Sequence, residues 1–448
     1  MKRLTLLIIA FHLVIISACS SSKKEKARNE IQNSDERTQV NKTDSTIKLY
    51  QDQIKREPNN YYGYMRLGES YVQKARETGD VTYYNKAEEV LKKALELNPD
   101  DYPTVVYLGQ VSASKHDFRV ALIYAQKAIH IKSEQSYAYG ILGDAYAELG
   151  EYDKAEKAYE TMLTIRPSFY SYSRISYIRE LRGNIKEAIE AMEDAIHQGK
   201  IYAIRYGQSI ENVAWAQFML GELYLKTGDI KKAEQQYMAS LKTYDNYYYA
   251  LAGLAKVRAA EKDYGKAIEL YKKAIGIIPL PLFVSSLGDV YKKIGKMQEA
   301  KKQYDLVEYI GLLSKINKII YNRDLALFYA DHDMKLDEAL DLAKRELEVR
   351  RDIYTYDTLA WALYKNNKFK EALEASEKSL RLGTKDAILF FHAGMIYYKL
   401  GDMDKAREYL SQAITTNPYF HIIYSDVAKD TLKEIESKSP IKRAENSL

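Results

Sequence analysis

One spacing constrains this chain more than its composition does. Ten alanines, Ala87, Ala121, Ala155, Ala188, Ala233, Ala267, Ala300, Ala339, Ala372 and Ala406, follow one another at intervals of 34, 34, 33, 45, 34, 33, 39, 33 and 34 residues. Other residues recur around them at fixed offsets. Leu67-Gly68, Leu108-Gly109, Leu142-Gly143, Leu220-Gly221 and Leu287-Gly288 precede the alanines, and Pro58, Pro99, Pro167, Pro279 and Pro418 close units. At 448 residues the chain is too long for one ordinary compact core. A period of this size predicts instead a linear array in which each unit buries its apolar face on its neighbour. Eight prolines and 21 glycines are few for such a length, which favours helices over turn-rich β architecture. With 67 basic against 62 acidic residues, the formal charge of +5 lacks the concentrated basic excess of a nucleic-acid binder.

The unit from 136 to 169 shows the local physics. Tyr139, Leu142, Gly143 and Tyr146 fall at i, i+3, i+4 and i+7, one face of a helix. Gly150 ends that helix and Asp153 opens the next, on which Ala155, Tyr159 and Met162 form the apposing face. Gly143 and Ala155 are expected to be small because the two helices cross there. The first unit carries seven extra residues around Val81–Asn85. Eleven more separate Ala188 from Ala233, centred on 198–207, and five separate Ala300 from Ala339. In the first unit, longer helices or a bulging loop are expected. Ile47–Glu57 reads as a lone second helix, and His421–Glu436 as a terminal cap with one apolar stripe.

These motifs resemble the tetratricopeptide repeat family over residues 46–418. The resemblance implies an all-α solenoid, a right-handed superhelix of antiparallel helix pairs. It would hold about ten repeats with an N-terminal half-repeat, and a capping helix and tail over 419–448.

The N-terminus carries a different signal. Lys2 and Arg3 precede fifteen largely apolar residues, Leu4–Ala18. That is shorter than the roughly 20 residues a spanning helix needs and suits an export signal. Ile16-Ser17-Ala18-Cys19 resembles the lipobox of bacterial lipoproteins. The resemblance implies removal of residues 1–18 and acylation, palmitate included, of Cys19. Cys19 is the one cysteine, so disulfides are excluded. Residues 19–45 are polar and charged and read as a flexible tether. Ser20, in place of the Asp that retains enterobacterial lipoproteins at the inner membrane, favours the outer membrane, on either face.

Motifs for catalysis are scarce. HExxH, GxSxG and GxGxxG do not occur in a fitting context, and the weak phosphate-loop likeness of Gly288–Lys296 ends in Met297 instead of Ser or Thr. Asp331-His332-Asp333 reads as a solvated turn rather than a metal site. No enzyme activity, cofactor, metal or nucleic acid is expected.

In the family resembled, positions two, five, nine and twelve of each first helix line a groove. Position two here is aromatic at Tyr62, Tyr137, Tyr170, Trp215, Tyr249, Tyr321 and Tyr354. Such rings are favoured at interfaces, and they pack equally well between units. Position nine is acidic at Glu69, Asp144, Glu222 and Asp289, so a basic clamp for an acidic tail is missing. Asp357 and Trp361, at positions five and nine, should either converge with Tyr354 and His392 on one groove patch or, the stronger reading, leave Trp361 as a core ring packed between repeats. The insertion at 198–207 is a second candidate surface. The expectation is a membrane-anchored scaffold that binds other envelope proteins or peptides, in assembly, secretion or export. The alternative is a glycan-binding or exopolysaccharide-export lipoprotein on the same scaffold.

Overall fold

The computed structural model describes residues 43–78, 80–206, 210–316 and 322–438. Cys19, the segment 1–18 and nearly all of the 19–45 tether lie outside the described residues, as does Tyr321. All regular structure among the described residues is α-helix. The helices fall into two compact units, one ending at Val111 and one running Ser112–Leu448.

The first unit holds α1 (43–56), α2 (Tyr61–Thr78), α3 (Thr82–Leu97) and most of α4 (Tyr102–Ser114). The second begins with α5 (Phe118–Ile131) and continues in pairs. These are α6 (Ser136–Glu148) with α7 (Tyr152–Ile165), α8 (Phe169–Leu181) with α9 (Ile185–Tyr206), and α10 (Glu211–Lys226) with α11 (Ile230–Thr243). Next come α12 (Tyr248–Ala260) with α13 (Tyr264–Ile277), α14 (Pro281–Lys293) with α15 (Met297–Ile316), and α16 (Asn322–Asp331) with α17 (Leu336–Val349). The last are α18 (Ile353–Lys365) with α19 (Phe369–Leu380) and α20 (Ala387–Leu400) with α21 (Met403–Thr416), followed by α22 (Tyr424–Lys438).

Each spaced alanine is buried on its helix: all ten are at most 1% exposed. Ala155→Leu should therefore overpack the α6–α7 contact and cost about 1–3 kcal/mol. Chemical denaturation measures that loss, and an unchanged midpoint would displace Ala155 from this role. The crossing itself is built differently from expectation. Gly143 stands against the ring of Tyr159, four residues beyond Ala155, and Gly221 and Gly288 stand likewise against Tyr237 and Tyr304. A Cβ on any of these glycines would run into the ring, so the glycine makes room for an aromatic partner, not for the alanine.

All three insertions lengthen helices. α2 spans 18 residues, α9 22 and α15 20, against 13 for α6 and α8. Most turns inside the pairs use one left-handed residue, and the α16–α17 turn uses two, Asp333 and Lys335. Glycine supplies the single one at 150, 183, 228, 295 and 401, while His116, Lys262 and Asn367 adopt the conformation with a side chain.

The second unit winds back onto itself. The α6–α7 turn meets the segment before α18: Arg351 N–H donates to Glu148 C=O at 2.7 Å, and the Tyr152 hydroxyl accepts from Ile353 N–H at 2.8 Å. The α8–α9 turn meets the segment before α20, where the Thr384 hydroxyl donates to Leu181 C=O. The α10–α11 turn meets Pro418, whose Cδ stands 3.1 Å from where a Cβ of Gly228 would be. One turn of the superhelix is thus stitched to the next along a continuous seam.

Charges are buried in that seam. Glu148 lies 2.7 Å from Arg350, among Asp352, Arg323 and Glu346, without the alignment a hydrogen bond requires. Burial outweighs Arg350, and with Asp352 adding, pushes the Glu148 carboxyl up to about 7.

Candidate functional site

The inner surface of the second unit is occupied at its C-terminal end by the chain itself. The Tyr424 hydroxyl at the start of α22 donates to the Asp331 carboxylate at 3.0 Å, and Trp361 Nε1–H donates to the same carboxylate at 2.8 Å. Tyr424 stacks on Phe391 with ring centroids 4.8 Å apart. His421 Nε2 approaches Asp289 at 3.8 Å, and His332 Nε2 bonds the same aspartate at 2.9 Å. The Asp331-His332-Asp333 segment is therefore no solvated turn. His332 is buried, and only Asp333 reaches outward, to Lys365.

The patch expected around Trp361 does assemble, but in the interior. His392 Nδ1 lies 3.0 Å from both Asp357 carboxylate oxygens, and its ring stacks on Trp361 at 4.1 Å. Asp357, Trp361 and His392 are 4%, 2% and 1% exposed, so in this conformation they are core residues without a face toward a ligand. Tyr354 points elsewhere. Its hydroxyl accepts from Lys226 Nζ at 3.1 Å, and Lys226 also pairs with Glu180 and Asp386.

The acidic position nine has a structural explanation that the sequence did not reveal. Tyr159, Tyr237 and Tyr304, whose rings lie on the glycines, donate their hydroxyls to Asp144, Glu222 and Asp289, each the residue following its glycine. The next unit adds a cation or imidazole to each acid: Arg174, Lys256 and His332. Burial opposes ionisation of Asp289, yet the bond from His332, with His421 and Tyr304 beside it, holds its carboxyl below the usual range. These acids tie unit to unit and are not spare groove charges.

Open space remains farther along the same surface, around α8, α9 and α10. A cavity of about 420 Å³ is lined chiefly by Phe169, Tyr170, Tyr177, Met192, Trp215 and Met219. A second, of about 130 Å³, shares Phe169, Tyr170 and Asn212 with it and adds Tyr137, Arg166, Gly199 and Tyr202. The rings form one chain: Tyr137–Tyr170 centroids are 5.8 Å apart, Phe169–Tyr170 5.2 Å and Phe169–Trp215 5.9 Å. Arg166 donates to the Tyr202 hydroxyl at 3.1 Å and closes the polar end. Gly199 and Tyr202 come from the extra turns of α9, so the 198–207 insertion supplies a wall of this space.

Of the aromatic residues at position two, Tyr137, Tyr170 and Trp215 share the cavities. Tyr249 belongs to a neighbouring cluster, stacked on Phe218 at 5.2 Å and edge-on to Phe283 at 5.7 Å. Tyr62 lies in the first unit and is 46% exposed. Sequence reasoning passed over Phe169, Arg166, Asn212 and the two methionines. None occupies a groove position in the repeat register, and only the lengthened α9 hinted at them. Among the described residues no group of three or more His, Cys, Asp or Glu is placed to hold a metal. No described helix is long and apolar enough to cross a membrane.

Helix pairs stacked in register around an aromatic inner face define a helical-repeat scaffold for protein–protein interaction. Models of the tetratricopeptide repeat match residues 63–101, 136–169, 218–280 and 358–419. The chain is a tetratricopeptide-repeat protein. It is 24% identical over 358 residues to a TPR repeat-containing protein of Methanocaldococcus jannaschii, covering 75% of this chain and 61% of that one. It is 26% identical over 274 residues to the BBSome complex member BBS4 of Bos taurus, covering 58% and 48%. It spans about half to three fifths of the length of these relatives. Yeast Tom70 is similar in structure at 14% identity and a TM-score of 0.38, covering 91% of this chain and 95% of that one.

Proposed function

We propose that this chain is a non-catalytic, lipid-anchored scaffold of the bacterial cell envelope, held at the outer membrane through Cys19. In this reading it recruits a partner protein of an assembly, secretion or export complex. The observation that carries the binding half is the aromatic cavity between α8 and α10. It is the place on the inner face where large rings stand beside unfilled space, whereas the C-terminal end is packed with residues of the chain itself. Tyrosine and tryptophan give large contact area at low entropic cost, and Met192 and Met219 adapt the wall to a bulky side chain. The anchoring half rests on the sequence Ile16-Ser17-Ala18-Cys19.

Both halves are tested in cells with the full chain. Cys19→Ala should abolish incorporation of labelled palmitate and leave residues 1–18 on the chain, both read from the intact mass. Tyr170→Ala with Trp215→Ala should remove the partner captured by crosslinking, while helical content and the melting midpoint stay close to those of the parent. Retention of the same partner by that folded double variant would sink the cavity as the binding site. Glycan-array binding lost in the double variant would favour the saccharide alternative.

A further inference from the structure

The seam gives the second unit two unlike rims. Turns inside pairs, such as those at Gly150, Gly183 and Gly228, are spent against the segments that precede α18, α20 and α22. In paired helices every second helix ends on the same side, opposite the turns within pairs. The segments 165–170, 198–206 with 210–212, 242–247, 277–282 and 309–316, which follow α7, α9, α11, α13 and α15 or close them, therefore share the other rim.

Most of the large apolar side chains that the unit exposes lie on that rim, with Ile123 and Met238 exposed instead on the faces of α5 and α11. Ile204 is 86% exposed, Leu282 58%, Tyr309 57%, Leu312 54%, and Ile210 and Ile277 45% each. On the turns within pairs, only Met297 and Met403 are exposed large hydrophobics among the described residues. Scattered exposed aliphatics need no explanation, but a concentration on one rim does. Both long insertions end there, so α9 and α15 carry Ile204 and Leu312 past the 14 residues that α11 and α13 span. The charge is also biased. The five segments hold Arg166, Lys200, Arg205, Lys242 and Lys315 against Glu211 and Asp245.

We infer that this rim docks on an anionic lipid surface. Exposed isoleucine, leucine and tyrosine at helix ends enter the boundary between headgroups and acyl chains, and flanking lysine and arginine meet anionic headgroups. The excess of cations favours this occupant over a second copy of the chain, which would set the same charges against each other. The inference needs no acyl group on Cys19. It adds a contact that would orient the second unit on the bilayer.

The test uses the full chain with Cys19→Ala, which removes the one native cysteine and leaves single labelling sites. Nitroxides are placed at Leu312→Cys and Leu282→Cys on the rim and at Met238→Cys on α11, a 58% exposed position away from it. Residues 4–18 remain in every variant and hold all of them at vesicles alike. With vesicles of phosphatidylethanolamine and phosphatidylglycerol, accessibility to oxygen relative to a water-soluble nickel chelate should rise several-fold at 312 and 282 and stay unchanged at 238. Phosphatidylcholine vesicles should give a smaller rise. Leu313→Asp with Ile204→Asp, both at exposed positions, should abolish the rise at 282. Rim labels that remain in water, or a rise equal at all three sites, would overturn the inference. So would rim labels that become immobilised without vesicles as protein concentration increases, because a second copy would then be the occupant.

Discussion

Replacing Gly150 and Gly183 by valine will part the seam of the second unit. Both residues have φ near +75° to +80°, a conformation that costs a β-branched residue about 1–3 kcal/mol by strain alone. Space is the harder limit. A Cβ on Gly150 would lie 2.5 Å from the carbonyl oxygen of Arg351, and one on Gly183 would lie 2.5 Å from that of Gly383. These neighbours are backbone and cannot rotate away, so the two turns of the superhelix must separate. Small-angle scattering should report a larger radius of gyration with helical content retained, since each pair keeps its own core. An unchanged scattering profile would show that the seam does not fix the winding.

The same seam should loosen as pH rises. Glu148 titrates near 7 in the folded state, above an unfolded carboxylate, so its protonated form favours folding. That contribution is complete below the unfolded value and is lost as pH rises through about 7. Glu148→Gln should flatten this part of the stability profile.

The second large effect is expected at Trp361. Trp361→Ala removes a side chain that is 2% exposed, stacked on Tyr364 and His392, and hydrogen-bonded to Asp331. Loss of a buried aromatic of this size costs about 3–5 kcal/mol. It also strands the Asp331 carboxylate with fewer donors, although Tyr424 still donates to it. Equilibrium denaturation should show the cost, and a variant as stable as the parent would mean that the interior is not packed as described. A partner lost on this substitution would report unfolding of the C-terminal pairs, not a broken contact. The informative comparison is Tyr170 with Trp215, where half-buried rings border open space.

Much of the architecture was legible because it repeats. The recurrent spacing of alanines placed ten small core residues, and each is buried. The long intervals announced α9 and α15, although not that the surplus would become helix. His332 was misread because neighbouring acids looked like a polar turn. Its buried partner, Asp289, lies 43 residues away. The Tyr–carboxylate ties were visible as residue types but not as bonds, since their function depends on a ring from one helix lying on a glycine of another.

What the sequence by itself determined is periodicity: helix, turn, small residue at the crossing, and a polar N-terminal stretch with Cys19 at its head. These follow from local physics, with interactions reaching no farther than the adjoining pair. Only the tertiary structure decided how the pairs wind. Small rotations between pairs accumulate until Tyr152 meets Ile353 and Leu181 meets Thr384, some 200 residues apart. That winding made core residues of Asp357, Trp361 and His392, filled one end of the inner face with the chain's own C-terminal segment, and left the space beside Tyr170 and Trp215.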